Sequence, residues 1–298
     1  MALEDICSFK DTPACHKWFS ASSLEVTVRR PFPLSHGTTT LGFIFQGGVI
    51  AAADTRASAG GLVACPAVHK VTPIHSHLVV TSSGSGADCM LWERILAREI
   101  RLYQLRHRRC LSIRGTAKLL SFMLHPFKGT DVCVALTLCG WDKEAGNTDC
   151  AKRPQDSSFL TGDSSSPIIS SQDATSKPCS ASSNSGPQLI YVCSDGARLQ
   201  GDIISVGSGS PYAYSVLDGG LRWSLSKEEA ISLAREAVFR ATHRDAYSGN
   251  SVDLFHITAQ GWKQREREDL REEYYRDMER RAKIMEERKR VTELKVPT

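Results

Sequence analysis

The chain has 298 residues, enough for one domain of about 200–250 residues with appendages and a sizeable core. Its net charge of +4 is too mild to argue for nucleic acid, and no apolar run approaches the ~20 residues of a membrane-spanning helix. Ten cysteines show neither a C-x-x-C pair nor a matched histidine spacing, and Cys89, Cys133, Cys139 and Cys193 lie in apolar runs, so buried free thiols of a reducing compartment fit better than zinc or a disulfide framework.

Residues 1–37 mix Pro, Ser, aromatic and charged residues without a period. They lack the basic stretch and apolar core of a secretory signal. They end in Ser35-His36-Gly37 directly before a strand run, which suits a removable pro-segment as well as a plain tail. Thr39–Phe45 and Gly48–Ala53 read as a strand pair, the second closing in Asp54. Short strands follow at Leu62–Ala64, Val68–Thr72 and Leu78–Thr81, punctuated by Gly60-Gly61, Pro66 and Pro73. Ala87 to about Arg106 predicts a helix, with Trp92, Leu96, Ile100 and Tyr103 on one stripe and Leu91, Ile95 and Leu102 beside it. A second helix is expected from Ser112 to Phe127.

Asp131–Trp141 and Gln188–Ser194 read as strands of one hairpin. Residues 146–186 between them are Ser-rich and nearly free of apolar side chains, so a disordered insertion is expected there. Ile203–Val206 is a further strand, and a short helix starts near Tyr212. Ser226-Lys227-Glu228-Glu229 is a capping box opening a helix to Thr242, whose Ala230, Ala234, Ala237 and Ala241 imply close approach to another layer. Val252–Ile257 is a last strand. From Lys263 to Lys295 charged residues dominate at three- and four-residue spacing, predicting a charged helical tail over 263–298, either solvated or laying its narrow apolar stripe on a neighbour. Strand runs alternating with helix pairs favour two stacked antiparallel sheets with helices outside over a doubly wound parallel sheet.

The chemistry concentrates at Gly37-Thr38. If the bond between them is cut, Thr38 carries a hydroxyl and a free α-amine, a nucleophile and a base on one residue. An α-amine near pKa 8 is better placed for that work than a lysine at about 10.4. Lys70 and Asp54 both end apolar runs and suit a buried pair that would tune the amine. Gly84 stands between a strand and a helix start, where a bare N–H can meet a developing oxyanion. The loops Gly84–Cys89 and Gly207–Ser210 lack the Lys-Ser/Thr ending of a phosphate loop, and H-E-x-x-H and G-x-S-x-G are both missing.

His36-Gly37-Thr38-Thr39-Thr40-Leu41, Ala-Ala-Asp-Thr-Arg-Ala-Ser-Ala-Gly at 52–60, His-Lys-Val at 69–71, Cys-Gly-Trp-Asp at 139–142, Ser-Val-Gly-Ser-Gly-Ser at 205–210 and Arg-Asp-Ala-Tyr-Ser-Gly at 244–249 occur in one order. Together they resemble the catalytic beta subunits of the 20S proteasome, of the beta-5 type. The resemblance implies an α+β fold, a four-layer αββα sandwich of the N-terminal-nucleophile hydrolases, spanning 38–262. It implies residues 1–37 as a propeptide removed by autocleavage, with Gly37 on the discarded side. Thr38 would then be the nucleophile of a threonine endopeptidase, Asp54 and Lys70 would tune its amine, Gly84 would stabilise the oxyanion, and Ser208, Asp245 and Ser248 would brace the new terminus.

Further implications are partnership with other alpha and beta subunits in a heteromeric stacked ring, unfolded polypeptide as substrate, and residence in cytoplasm and nucleus. No cofactor, metal, nucleic acid or membrane is implied. By position Ala57, Val68, Thr72, Ser82, Gly86 and Met90 line or flank the pocket for the residue preceding the scissile bond. Ser82 stands where beta-5 subunits carry methionine, so weaker cleavage after large apolar residues is expected. Ser82 and Val63-Ala64-Cys65-Pro66-Ala67 resemble the thymus-type branch, which would add a part in shaping peptides for MHC class I presentation. Two alternatives remain at this point: a ring subunit that never loses its leader and serves assembly only, and an unrelated amidase of the same fold acting alone.

Overall fold

A computed structural model describes residues 37–143 and 185–293. The leader before Gly37 lies outside the described residues, as does the Ser-rich insertion except for Ser185 and Gly186. The strands run β1 (Thr40–Phe45), β2 (Gly48–Asp54), β3 (Ala57–Ala59), β4 (Leu62–Cys65), β5 (Val71–His75) and β6 (Leu78–Gly84). Helices α1 (Gly86–His107) and α2 (Ile113–Leu124) follow, then β7 (Val134–Asp142), β8 (Gly186–Cys193), β9 (Arg198–Gln200) and β10 (Ile203–Val206). After α3 (Ser210–Gly220) and α4 (Lys227–Arg244) come β11 (Ser251–Thr258), β12 (Gly261–Gln264), β13 (Glu268–Asp269) and α5 (Leu270–Glu293).

β2 shows how one sequence serves two cores. All seven of its residues are buried. Because side chains alternate across a strand, Ile50 and Ala52 join the core beneath α3 and α4, while Val49, Ala51 and Ala53 face the opposite way. One large antiparallel sheet has the order β10-β1-β2-β11-β12, with β13 also on β11, the other large sheet has the order β5-β6-β7-β8-β9, and β3 and β4 form a separate two-stranded pair. Val49, Ala51, Ala53, Phe255 and Ile257 of the first sheet meet Val71, Val79, Cys139 and Leu189 of the second in the middle of the molecule. α3 and α4 cover the outer face of the first sheet and α1 and α2 that of the second. The result is the four-layer αββα sandwich that the motifs imply.

Local chemistry accounts for the helix ends. The capping box at Ser226 is formed in both directions, Glu229 N–H donating to the Ser226 hydroxyl and Ser226 N–H to the Glu229 carboxylate. Ala230, Ala234, Ala237 and Ala241 are fully buried, as their spacing predicts. Ile113 N–H, at the start of α2, donates to Asp142 Oδ1 at 2.7 Å, so the last residue of the Cys-Gly-Trp-Asp motif caps a helix. The hairpin across the insertion forms as β7 on β8, with Asp142 opposite Gly186.

Three expectations need correction. The charged helix begins at Leu270, not at Lys263, because β12 and β13 still belong to the first sheet. Trp262 packs edge-on against Phe255, and the Arg267 guanidinium grips the buried Asp253 carboxylate at 2.6 and 2.7 Å, which holds this stretch on β11. The flanking stripe of α1 is also different. Leu91 is exposed, and the inward positions are Cys89, Trp92, Glu93, Leu96, Glu99 and Ile100. Among the cysteines, Cys89 and Cys139 are buried and free, but Cys133 is exposed and Cys110 is disulfide-bonded.

Candidate active site

The site forms where the open ends of both sheets face each other around Thr38. Thr38 itself precedes β1 and is 8% exposed. Its hydroxyl donates to the carbonyl oxygen of Gly37 at 2.7 Å, and its backbone N–H donates to Ser208 Oγ at 3.1 Å. Gly37 is required by space: a Cβ there would lie 1.9 Å from Tyr247 Cβ and 2.6 Å from Ser208 Oγ. Gly207, at φ +107°, passes so close to Thr38 that a Cβ would sit 2.0 Å from its carbonyl oxygen.

Asp54, at the end of β2, is fully buried and fully used. Oδ1 accepts Lys70 Nζ at 2.6 Å and Thr39 N–H at 2.9 Å, while Oδ2 accepts Gly249 N–H at 2.9 Å and Arg56 N–H at 3.1 Å. Lys70, 5% exposed, is thus held by a carboxylate that two loops and a strand orient. Burial pushes the Lys70 pKa below its ordinary value, and the Asp54 charge works against that shift. A second carboxylate organises the other side. Asp245 Oδ2 accepts the hydroxyls of Ser208 at 2.5 Å and Ser248 at 2.6 Å, and Oδ1 accepts Tyr247 N–H. Thr39 Oγ1 donates to Ser248 Oγ at 2.7 Å and so ties the residue after Thr38 into the same chain.

Gly84 ends β6 at φ +116°, where a Cβ would meet the Cys133 carbonyl oxygen at 2.5 Å. It lies beyond Ser82, whose N–H still bonds Lys70 O, and therefore past the end of the pairing with β5. Ser83 between them touches Thr40 Oγ1 at 3.2 Å, which brings this end of β6 to the start of β1. Thr72 and Ser82 are half-buried, Ala57 and Val68 likewise, and Gly86 and Met90 are exposed. No cluster of His, Cys, Asp and Glu able to hold a metal ion occurs among the described residues.

The arrangement provides a hydroxyl on a carbonyl, a buried ammonium–carboxylate pair and two braced serines, each in one of the sequence motifs. The family model for "Proteasome subunit" matches residues 34–151 and 179–257. The chain belongs to the proteasome subunit family. Its relatives place it among the beta-type members. It is 40% identical to proteasome subunit beta type-5 of Gallus gallus, over 77% of this chain and 74% of that one. It is 40% identical to proteasome subunit beta type-8 of Homo sapiens, over 80% and 71%, and to the probable proteasome subunit beta type-5 of Schizosaccharomyces pombe, over 77% and 69%.

In this beta-type proteasome subunit Asp54, Lys70, Ser208, Asp245 and Ser248 surround Thr38 and Thr39 through hydrogen bonds. Gly84 and the six pocket positions share no hydrogen bond with Thr38 among the described contacts. Sequence reasoning missed Thr39, Arg56, Tyr247 and Gly249, which act through backbone N–H groups or a neighbouring hydroxyl. All four lie inside the motifs already singled out, and that was the available signal. It also missed Glu93, a carboxyl on the inward face of α1.

Proposed function

We propose that this chain is a threonine endopeptidase subunit of the 20S proteasome core, released from its leader by its own cut at Gly37–Thr38. The observation that carries the proposal is the Thr38 hydroxyl, 2.7 Å from the Gly37 carbonyl oxygen, with the Thr38 nitrogen already anchored on Ser208. In the cut, Thr38 Oγ1 attacks the Gly37 carbonyl carbon and its proton passes to the Thr38 nitrogen as the peptide C–N bond breaks, which leaves the leader as an ester on Oγ1 and a free α-amine; water then hydrolyses that ester. The freed α-amine keeps the place of the former amide nitrogen beside Ser208. There it takes the Oγ1 proton as Oγ1 attacks a substrate carbonyl carbon. The Lys70 ammonium keeps the local field positive and favours the unprotonated amine. The Gly84 N–H meets the oxyanion. The leaving amine takes a proton, and a water activated by the α-amine then hydrolyses the acyl-enzyme.

The chain works in stacked rings with other alpha and beta subunits, in cytoplasm and nucleus, on unfolded polypeptide. Ser82 in place of methionine weakens cleavage after large apolar residues, in keeping with the thymus-type branch of beta-5 subunits and a role in peptides for MHC class I presentation. Thr38→Ala in an assembled particle tests this. The ring is expected to stay intact, the leader to stay attached, and this subunit's cleavage to be lost. Unchanged cleavage by the variant, or wild-type particles whose chain still begins at Met1, would leave the assembly-only alternative standing.

A further inference from the structure

Glu93 has no role in the fold or in the chemistry described so far. It projects from the inward face of α1, is 7% exposed, and pairs with no cation among the described salt bridges. Its Oε1 is buried without a hydrogen-bond partner. The groups it faces are the hydroxyls of Thr72 on β5 and Ser82 on β6. Both stand on the sheet face that α1 covers: Thr72 opposes Val80, Ser82 lies two residues further along β6, and Val80 belongs to the core under α1. Thr72 and Ser82 are half-buried and Glu93 is 7% exposed, so the two hydroxyls are the more accessible groups and the carboxyl the more enclosed one. A buried acceptor with no partner is costly, and a protein retains one most readily where something else closes it.

We propose that Glu93, reached past the Thr72 and Ser82 hydroxyls, is the specificity-determining group of the pocket for the residue preceding the scissile bond, and that it selects side chains ending in a neutral hydrogen-bonding group, glutamine foremost. This rests on the reading of Thr38 as a peptidase nucleophile and of Ser82 as that pocket's floor. Burial drives the Glu93 pKa upward, against the two hydroxyl donors, and so favours the neutral acid. A neutral carboxylic acid offers one O–H and one carbonyl oxygen. A primary carboxamide offers the matching carbonyl and N–H, so the two close each other without burying a charge. A lysine or arginine would require the ionised carboxylate, which the same burial disfavours. An apolar side chain would leave Oε1 open, the situation in which polar sites reject apolar analogues most strongly.

The test uses assembled particles carrying the full chain, with the other proteolytic subunits inactivated. kcat/KM is measured on peptides that differ only in the residue before the cleaved bond: glutamine, leucine or arginine. Wild type is expected to favour glutamine over leucine. Glu93→Met should lower that ratio about tenfold or more, and Glu93→Gln, which keeps a hydrogen-bonding end, should stay within about threefold of wild type. Ser82→Met leaves Glu93 in place behind a blocked floor and should lower the ratio as Glu93→Met does, which decides the matter if that variant fails to assemble. A ratio unmoved in the methionine variants, or arginine preferred by wild type, overturns the proposal. An N-terminus upstream of Thr38 in the wild-type particle overturns the peptidase reading instead, and this proposal with it.

Discussion

Removing the Lys70 ammonium tests the electrostatics of the site most directly. Nζ lies 2.6 Å from Asp54 Oδ1, with Lys70 5% and Asp54 0% exposed. Breaking a buried pair by deleting one partner costs about 3–5 kcal/mol, chiefly because the other charge is left uncompensated. Asp54 would not be left bare, since the N–H groups of Thr39, Arg56 and Gly249 still reach it at 2.9, 3.1 and 2.9 Å. Those three donors favour the carboxylate, so Lys70→Met belongs at the low end, about 3 kcal/mol. Asp54→Asn belongs at the high end, about 5 kcal/mol. It removes the carboxylate that, among the described residues, pairs with a buried ammonium and turns an NH₂ group toward donors. The two losses should not add: a coupling of about 2 kcal/mol is expected in the double variant. Urea denaturation of the full chain, followed by its five tryptophans, measures all three. A loss below about 1 kcal/mol for Lys70→Met, or no coupling, would refute the argument that this pair is buried and mutually dependent.

Gly37→Ala should abolish or sharply slow the cut before Thr38, because its Cβ would overlap Tyr247 Cβ at 1.9 Å, and mass measurement of particle subunits reads this directly. Tyr247→Gly, which removes the closer of the two overlaps, should restore part of the cut in the Gly37→Ala chain; no restoration would place the obstruction at Ser208 Oγ, 2.6 Å from the new Cβ. His75 gives a pH signature. Its residue is only partly buried, but Nε2 is enclosed without a partner and burial lowers the ring pKa to about 4. The unfolded chain therefore binds this proton first as pH falls from the ordinary 6.5. The stability His75 contributes is complete above pH 6.5 and is lost on descending to about 4, by at most about 3 kcal/mol. His75→Phe should flatten that part of the stability curve; an NMR titration of His75 near pH 6.5 would contradict the account.

What was legible in the sequence followed from period and from charge. Val49–Ala53 announced a strand, which the structure buries on both faces, the alanine-spaced helix announced close packing, and Lys70 and Asp54 announced a buried pair. The start of α5 was not legible, because Lys263 to Asp269 is polar enough to continue a charged helix. What holds it on β11 is a long-range grip, Arg267 on Asp253 and Trp262 on Phe255, that no local window contains. Inside the site the motifs gave the residues but not their wiring. Asp54 reads as a partner for Lys70, yet half of its hydrogen bonds come from Arg56 and Gly249 N–H groups, which have no side-chain signature. Glu93 was hidden in plain view as one more acid in a charged helix, until α1 proved to turn that position inward.

The hydrogen bonds around Thr38 join residues far apart in the chain: Thr38 to Ser208 spans 170 positions and Thr39 to Ser248 spans 209. Such closures come late, because the entropy of long loops must be overcome before these contacts form. Half the constellation lies before the chain enters the second sheet and half after it has left. A partly folded or truncated chain therefore has a threonine but no site. On the proposed reading of Thr38 as nucleophile, reactivity is tied to completion of the fold, which keeps a peptide-cutting group inert until the molecule that contains it is finished.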